Sequence, residues 1–295
     1  MKLSTTLDVP GRLFGEEDGI RKIAEAGFDA FDMSLFRMFE NPENYPLCGD
    51  DYRNYAKRLR AVADDCGIVC NQSHAPFASS TGDPAEDERR FAVIVRAMEI
   101  AAILGAKNIV VHPKQHLRYS EGDNAARLEE LNMAFYRRLI PYAEEYGVRI
   151  AVENMWQRAA VNGVERIWHS TCSTPAEFCR YMDRLDSPWI VGCLDIGHVS
   201  LVDGDIPVFI RALGCDRLQC LHVHDTDGVS DLHTLPYFSK IDYDAVCRTL
   251  REIGYTGDIT LEADNFFNTH PLATPEHNLR VMHAVGRELC RLAGR

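Results

Sequence analysis

Positive charge is in short supply in this 295-residue sequence: 32 Lys and Arg stand against 44 Asp and Glu, a formal charge of −12. Affinity for nucleic acid leans on cationic contacts with phosphate, so this balance argues against a nucleic-acid partner without forbidding a local basic patch. The pairs Arg89-Arg90 and Arg137-Arg138 fall in helical patterns and read as solvated faces. Long apolar runs are also missing, none approaching the ~20 residues that span a bilayer. Residues Met1 to Pro10 have neither the basic nor the apolar region of a signal peptide. The expectation is a cytoplasmic protein with no membrane partner. Ten cysteines are present, but no Cys-x-x-Cys pair. Scattered cysteines in a reducing compartment are expected to be buried free thiols rather than disulfides. No shift in composition marks a second domain, so residues 1–295 are expected to form one domain.

What the chain does have is a repeated rhythm. Short β-branched or apolar runs at 2–7, 28–33, 68–74, 107–112, 148–154, 190–196, 217–224 and 258–263 read as strands. Amphipathic stretches at 16–26, 51–65, 84–104, 123–146, 174–185, 206–213, 242–253 and 274–293 read as helices. Asp83-Pro84, Thr174-Pro175 and Thr274-Pro275 each place a capping residue before a first-turn proline. Gly27, Gly67, Gly105, Gly147 and Gly254 each stand where a helix gives way to a strand, the position at which a left-handed cap is needed. Eight such units predict an α/β protein, a (β/α)8 TIM barrel. The longer irregular stretches, 34–50, 113–122, 155–173 and 225–241, all follow strands, on the side where barrels keep their chemistry.

Ionisable residues collect at those strand ends. Strand three ends at His74, strand four at His112, strand five at Glu153, strand six at Asp195 with His198 beyond it, strand seven at His224, and strand eight at Glu262. Asp231 and His233 lie on the loop after His224. A lone strand-end His is more often a hydrogen-bonded structural residue than a ligand, and a lone carboxylate there can be an N-cap. Closing a barrel gathers all of them around one mouth, where Glu153, Asp195 and Glu262 would repel at a cost of several kcal/mol each without a cation. A divalent metal held by Glu153, Asp195, His224 and Glu262 is the economical reading. Three carboxylates and one imidazole suit Mn2+ first, with Mg2+, Co2+, Zn2+ or Fe2+ also compatible. His74, His112, His198, Asp231 and His233 could add nitrogen-rich sites. His222 shares the parity of His224 and is expected to point inward in a lower layer of the barrel. Trp156 and Phe266 could form pocket walls or core, and His116, His169, His270, His277 and His283 carry no pattern.

At these residues the sequence resembles the xylose isomerase-like barrel superfamily, in particular its sugar phosphate isomerase/epimerase proteins. The matching strings are HAPF at 74–77, VVHP at 110–113, VEN at 152–154, LDIGH at 194–198, HVHDTDG at 222–228, DLH at 231–233 and GYTGDITLE at 254–262. Each is weak alone; in order, over nearly the whole chain, they are specific. The resemblance implies Glu153, Asp195, His224 and Glu262 as metal ligands and His198 as a substrate contact. The barrel also resembles the three-zinc enzyme endonuclease IV, whose ligand set corresponds to His74, His112, Glu153, Asp195, His198, His224, Asp231, His233 and Glu262.

The expectation is a divalent-metal-dependent isomerase or epimerase acting through an enediolate on a small polyhydroxy carbonyl compound, with Glu153 and Glu262 as the acid/base pair and His198 orienting a substrate oxygen. The alternatives are an inosose dehydratase-like lyase, an endonuclease IV-like phosphodiester hydrolase and a sugar-binding barrel without turnover. Lys114, Arg118 and Arg158 sit on mouth-side loops and are the candidate anchors for a substrate phosphate, with structural ion pairing as the rival role. A homo-oligomer is the expected assembly if the mouth loops meet a partner copy.

Overall fold

The computed structural model describes residues 1–161, 163–270 and 273–294. Eight parallel strands form one sheet: β1 (Leu3–Thr6), β2 (Ala30–Ser34), β3 (Val69–His74), β4 (Asn108–Val110), β5 (Arg149–Glu153), then, beyond a hairpin of β6 (Trp156–Val161) and β7 (Val164–His169), β8 (Ile190–Asp195), β9 (Leu218–His222) and β10 (Ile259–Leu261). Their order is β10-β1-β2-β3-β4-β5-β8-β9. The ring closes between β9 and β10 through one bridge, Val223 to Leu261, with Val223 N–H donating to Thr260 O at 2.9 Å and Glu262 N–H to Val223 O at 3.1 Å. The result is a (β/α)8 barrel.

The helices are α1 (Asp8–Phe14), α2 (Glu16–Glu25), α3 (Arg37–Glu40), α4 (Tyr52–Cys66), α5 (Pro84–Leu104), α6 (Asn124–Tyr146), α7 (Pro175–Leu185), α8 (Ile196–Leu201), α9 (Ile206–Arg217), α10 (Tyr243–Glu252), α11 (Phe266–Thr269) and α12 (Pro275–Ala293). The main apolar core lies between the strands and this outer ring and includes Leu3, Phe31, Ile109, Phe178 and Met282. A smaller patch of Val110, Ala151, Val191, Cys193 and Cys220 forms a second buried cluster. Five elements were not expected: α1, which runs through Pro10 and Gly11; the short α3, α8 and α11; and the β6–β7 hairpin inside a stretch read as irregular. The strands are also shorter than their apolar runs, so His112, His224 and Glu262 lie just past the ends of β4, β9 and β10.

Capping follows the sequence in two of three cases. Asp83 accepts the Glu86 N–H at 2.8 Å, and Thr174 accepts that of Glu177 at 3.3 Å. Thr274 makes no such cap; its hydroxyl pairs with His277 instead. All five joint glycines have positive φ, where a β-carbon would be strained. All ten cysteines are free, five of them buried and five only partly so.

One buried acid in the ring makes stability depend on pH. Burial pushes Glu177, in the first turn of α7, up to about 7, against a Tyr119 hydroxyl that donates to it at 3.0 Å. A carboxyl raised from its ordinary value binds its proton more tightly when folded, so the protein loses stability as pH rises from about 4.5 through 7. Glu177→Gln keeps an acceptor for Tyr119 without the charge. The variant should melt with wild type at pH 4.5 and several degrees above it at pH 8, a gain on the order of 3 kcal/mol. Equal melting shifts at both pH values would show that this carboxyl is not responsible.

Candidate active site

The barrel mouth is a ring of acids and imidazoles. His74 ends β3, and its Nε2 lies 2.8 Å from His112 Nε2, which in turn is 2.6 Å from Glu153 Oε2. The other oxygen of Glu153 is 2.8 Å from His222 Nδ1, and the same nitrogen is 3.2 Å from Glu262 Oε2. One imidazole thus joins the two glutamates. Below it, His222 Nε2 is 3.5 Å from Asp32, which also accepts the Gln72 amide at 2.8 Å. The lower-layer position expected for His222 is therefore directly under the glutamates and in contact with both. Asp32 is the residue the sequence reading passed over.

On the other side, Asp195 lies 3.1 Å from His224 Nε2 and accepts the His198 backbone N–H at 2.7 Å, so it caps α8 while facing the mouth. His198 donates through Nδ1 to Asn154 O at 2.8 Å, which turns Nε2 towards Asp195 and Asp231 at 3.9 and 3.8 Å. Asn154 also brackets Asp195, accepting its N–H and donating to its carbonyl. His233 stacks on His224 with ring centres 4.0 Å apart, and its Nε2 reaches Asp231 at 3.2 Å. Gly197 also lies against His224 and leaves no room for a β-carbon there.

Among the described residues these side chains form five donor groups, three of which take in the whole ring: His74, His112 and Glu153; Glu153, Asp195, His222 and Glu262; and, sharing no member with these, His198, His224, Asp231 and His233. Within each group the ligand atoms lie within 4.8 Å of one another. All nine residues singled out in the sequence are brought together. His224 falls in a different group from Glu153 and Glu262, and His222 takes its place beside them.

The electrostatics are strongly polarised. Burial works against ionisation of Glu153, but His222 and His112 outweigh it and hold the carboxyl well below its usual range. Burial pushes Glu262 up to about 8; His222 and His233 oppose this, while Glu153 and Asp195 reinforce it. His198 is buried yet held up to about 10 by Asp195, Asp231 and Glu153. Burial and the neighbouring imidazoles His112 and His222 depress His74.

The residues fit a metal. Imidazole and carboxylate lone pairs converge, buried His224 Nδ1 and Asp231 Oδ1 have no hydrogen-bond partner, and among the described residues no Lys or Arg lines the cavity. The phosphate anchors expected from the sequence lie elsewhere. Lys114 is paired with Asp87 at 3.0 Å, Arg118 is beside Glu121, and Arg158 lines a groove with β7 residues and the α8 end. Trp156 does line the cavity, whereas Phe266 is buried core against Phe238 and His270. His116, without a pattern in the sequence, also faces the cavity and pairs with Ser80 at 2.7 Å.

A parallel eight-stranded barrel with acids and imidazoles gathered at the carboxyl ends of its strands is the architecture of metal-assisted barrel enzymes. Residues 20–288 match the xylose isomerase-like TIM barrel family, and the chain belongs to it. It is 24% identical over 242 residues to a putative L-ribulose-5-phosphate 3-epimerase of Escherichia coli, covering 80% of this chain and 79% of that protein. It is 26% identical over 204 residues to a probable endonuclease 4 of Bacillus licheniformis, covering 63% of each. The crystal structure of a D-tagatose 3-epimerase-like protein superposes with a TM-score of 0.75 at 21% identity, over all of this chain and 98% of that one. Among the described residues no helix is long and apolar enough to cross a membrane.

Proposed function

We propose that this protein is a divalent-metal-dependent isomerase or epimerase of a small polyhydroxy carbonyl compound. The observation that carries the reading is the pair Glu153 and Glu262, joined through His222, facing one cavity and sharing one group of metal-capable donors. Two carboxyls placed in this way are suited to opposite halves of a proton transfer. Glu153, ionised, takes the proton α to the carbonyl; Glu262 returns one from its own side of the substrate. His198, fixed through Nδ1 by Asn154 O, donates from Nε2 to a substrate oxygen. The similarity to a putative L-ribulose-5-phosphate 3-epimerase and to fructoselysine 3-epimerase supports the same reading.

Glu153, Asp195 and Glu262, with His224 as the family pattern has it, would hold the metal. When bound, the cation polarises the carbonyl and offsets the negative charge that develops on its oxygen. Mn2+ suits this oxygen-rich set; the nitrogen-rich groups around His74–His112 and His198–His233 suit Zn2+.

Exhaustive chelation should abolish turnover and lower the melting temperature by several degrees, since a ligand at 100 times its Kd contributes ~2.7 kcal/mol. Mn2+ should restore both. Full activity in protein stripped of metal, checked by elemental analysis, would end this reading.

Three donor groups in one mouth give the phosphodiesterase reading a specific basis, because clustered metals can hold both oxygens of an in-line displacement. The −12 charge and the lack of Lys or Arg among the described residues lining the cavity weigh against a DNA substrate. Cleavage of an abasic-site duplex at low salt would favour it. A dehydratase would use the same proton abstraction, and product analysis separates it from an isomerase.

A further inference from the structure

The cavity above the acid–imidazole floor has a volume of about 480 Å³. That is within the ~300–1,000 Å³ of pockets that take drug-sized ligands. Its floor and its walls differ in chemistry. Glu153, Glu262, His198, Asp231 and their neighbours offer a dense set of hydrogen-bonding groups that can satisfy a polyhydroxy head. The walls are Phe36, Phe77, Met155 and Trp156. Phe36 meets His74 edge-on at 4.7 Å, Phe77 meets His112 at 4.8 Å and Trp156 meets His198 at 6.3 Å, so the rings rise directly from the floor.

The polar side chains among the walls are largely engaged with the protein itself. Gln157 donates to the carbonyls of Gln115 and Leu117 and accepts from the Tyr119 N–H. The Gln115 amide nitrogen is held by Trp156 O and Ser170 Oγ. Ser80 is paired with His116. Hydroxyls or a charge placed against these walls would give up water without full replacement, a net cost; an apolar group would not. A phosphate would find no Lys or Arg among the described residues lining the cavity.

We infer that the substrate carries, beyond its polyhydroxy carbonyl head, an uncharged flat apolar substituent, as in the aryl glycoside of a keto sugar, seated between Phe36, Phe77, Met155 and Trp156. Phosphorylated sugars are poor ligands by the same logic. The inference rests on the proposed isomerase reading only for the identity of the head; the walls are a separate observation.

Binding of three unreactive probes to the Mn2+-loaded protein, followed by calorimetry, tests it: methyl β-D-glucoside, phenyl β-D-glucoside and glucose 6-phosphate. The phenyl compound should bind at least about tenfold more tightly than the methyl compound, as burial of a ring requires, and the phosphate no more tightly than the methyl compound. In Phe77→Ser, a substitution at the half-exposed rim, the two glycosides should come within about threefold of each other. Equal affinities in the wild type, tightest binding of the phosphate, or no detectable binding of the phenyl glucoside would each overturn the inference. Solvent deuterium exchange into a panel of ketoses, aldoses and keto sugars, each with and without an aryl substituent, reads the isomerase proposal separately. Exchange without a phenyl preference sinks the substituent alone; a phenyl preference without exchange sinks the isomerase alone.

Discussion

Replacing Glu153 with Gln should lower kcat by about a thousandfold or more while leaving a reduced but measurable metal content, because an acid–base group typically contributes ~10²–10⁴ in rate. The amide can still offer an oxygen to a cation, but it cannot take a proton. It also breaks the arrangement around it: Glu153 faces His112 at 2.6 Å and His222 at 2.8 Å, and an amide nitrogen turned to either would meet another potential donor. Circular dichroism and elemental analysis separate lost chemistry from lost structure. Wild-type turnover in a folded, metal-containing Glu153→Gln protein would remove this residue from the mechanism.

The second large effect is expected at a residue with no side chain. A β-carbon at Gly197 would run into the His224 ring, against which His233 stacks at 4.0 Å. His224 is fully buried and has nowhere to retreat. Gly197→Ala should therefore displace the imidazole. Overpacking of this kind costs roughly 1–3 kcal/mol of stability, and a misplaced ligand should weaken metal binding by about 10–100-fold, as loss of a ligand-orienting neighbour does. Titration of the stripped protein with Mn2+, read beside the melting temperature, checks both. Unchanged metal affinity would mean that His224 is not needed to hold the ion.

Most of the mouth was legible in the sequence because a barrel turns strand order into spatial order. His74, His112, Glu153, Asp195, His224 and Glu262 each follow an apolar run, and ring closure alone brings them together. What stayed hidden depended on direction and distance. His222 has the right parity, but only the register of β8 and β9 puts it beneath two glutamates. Asp32 lies at the equivalent level of β2, yet β2 contributes no His or acid at its very end to draw attention there. The hairpin was readable: Asn162-Gly163 within an alternating stretch is a strong local turn signal, overridden by the expectation of a loop between strand and helix. Helix α1 was not, since Pro10 and Gly11 disfavour one. The loop cations were misleading because sequence says which loop carries Lys114, not that Asp87 is waiting for it.

The join between β9 and β10 is the thinnest place in the ring, two backbone bonds wide, and it falls between the residues leading into His224 and Glu262. An ion gripped from both banks would act as a clasp over that gap. Loading would then do more than prepare the chemistry: it would tie the two ends of the wall together and resist splaying of the mouth, coupling occupancy to the mechanical integrity of the whole cylinder.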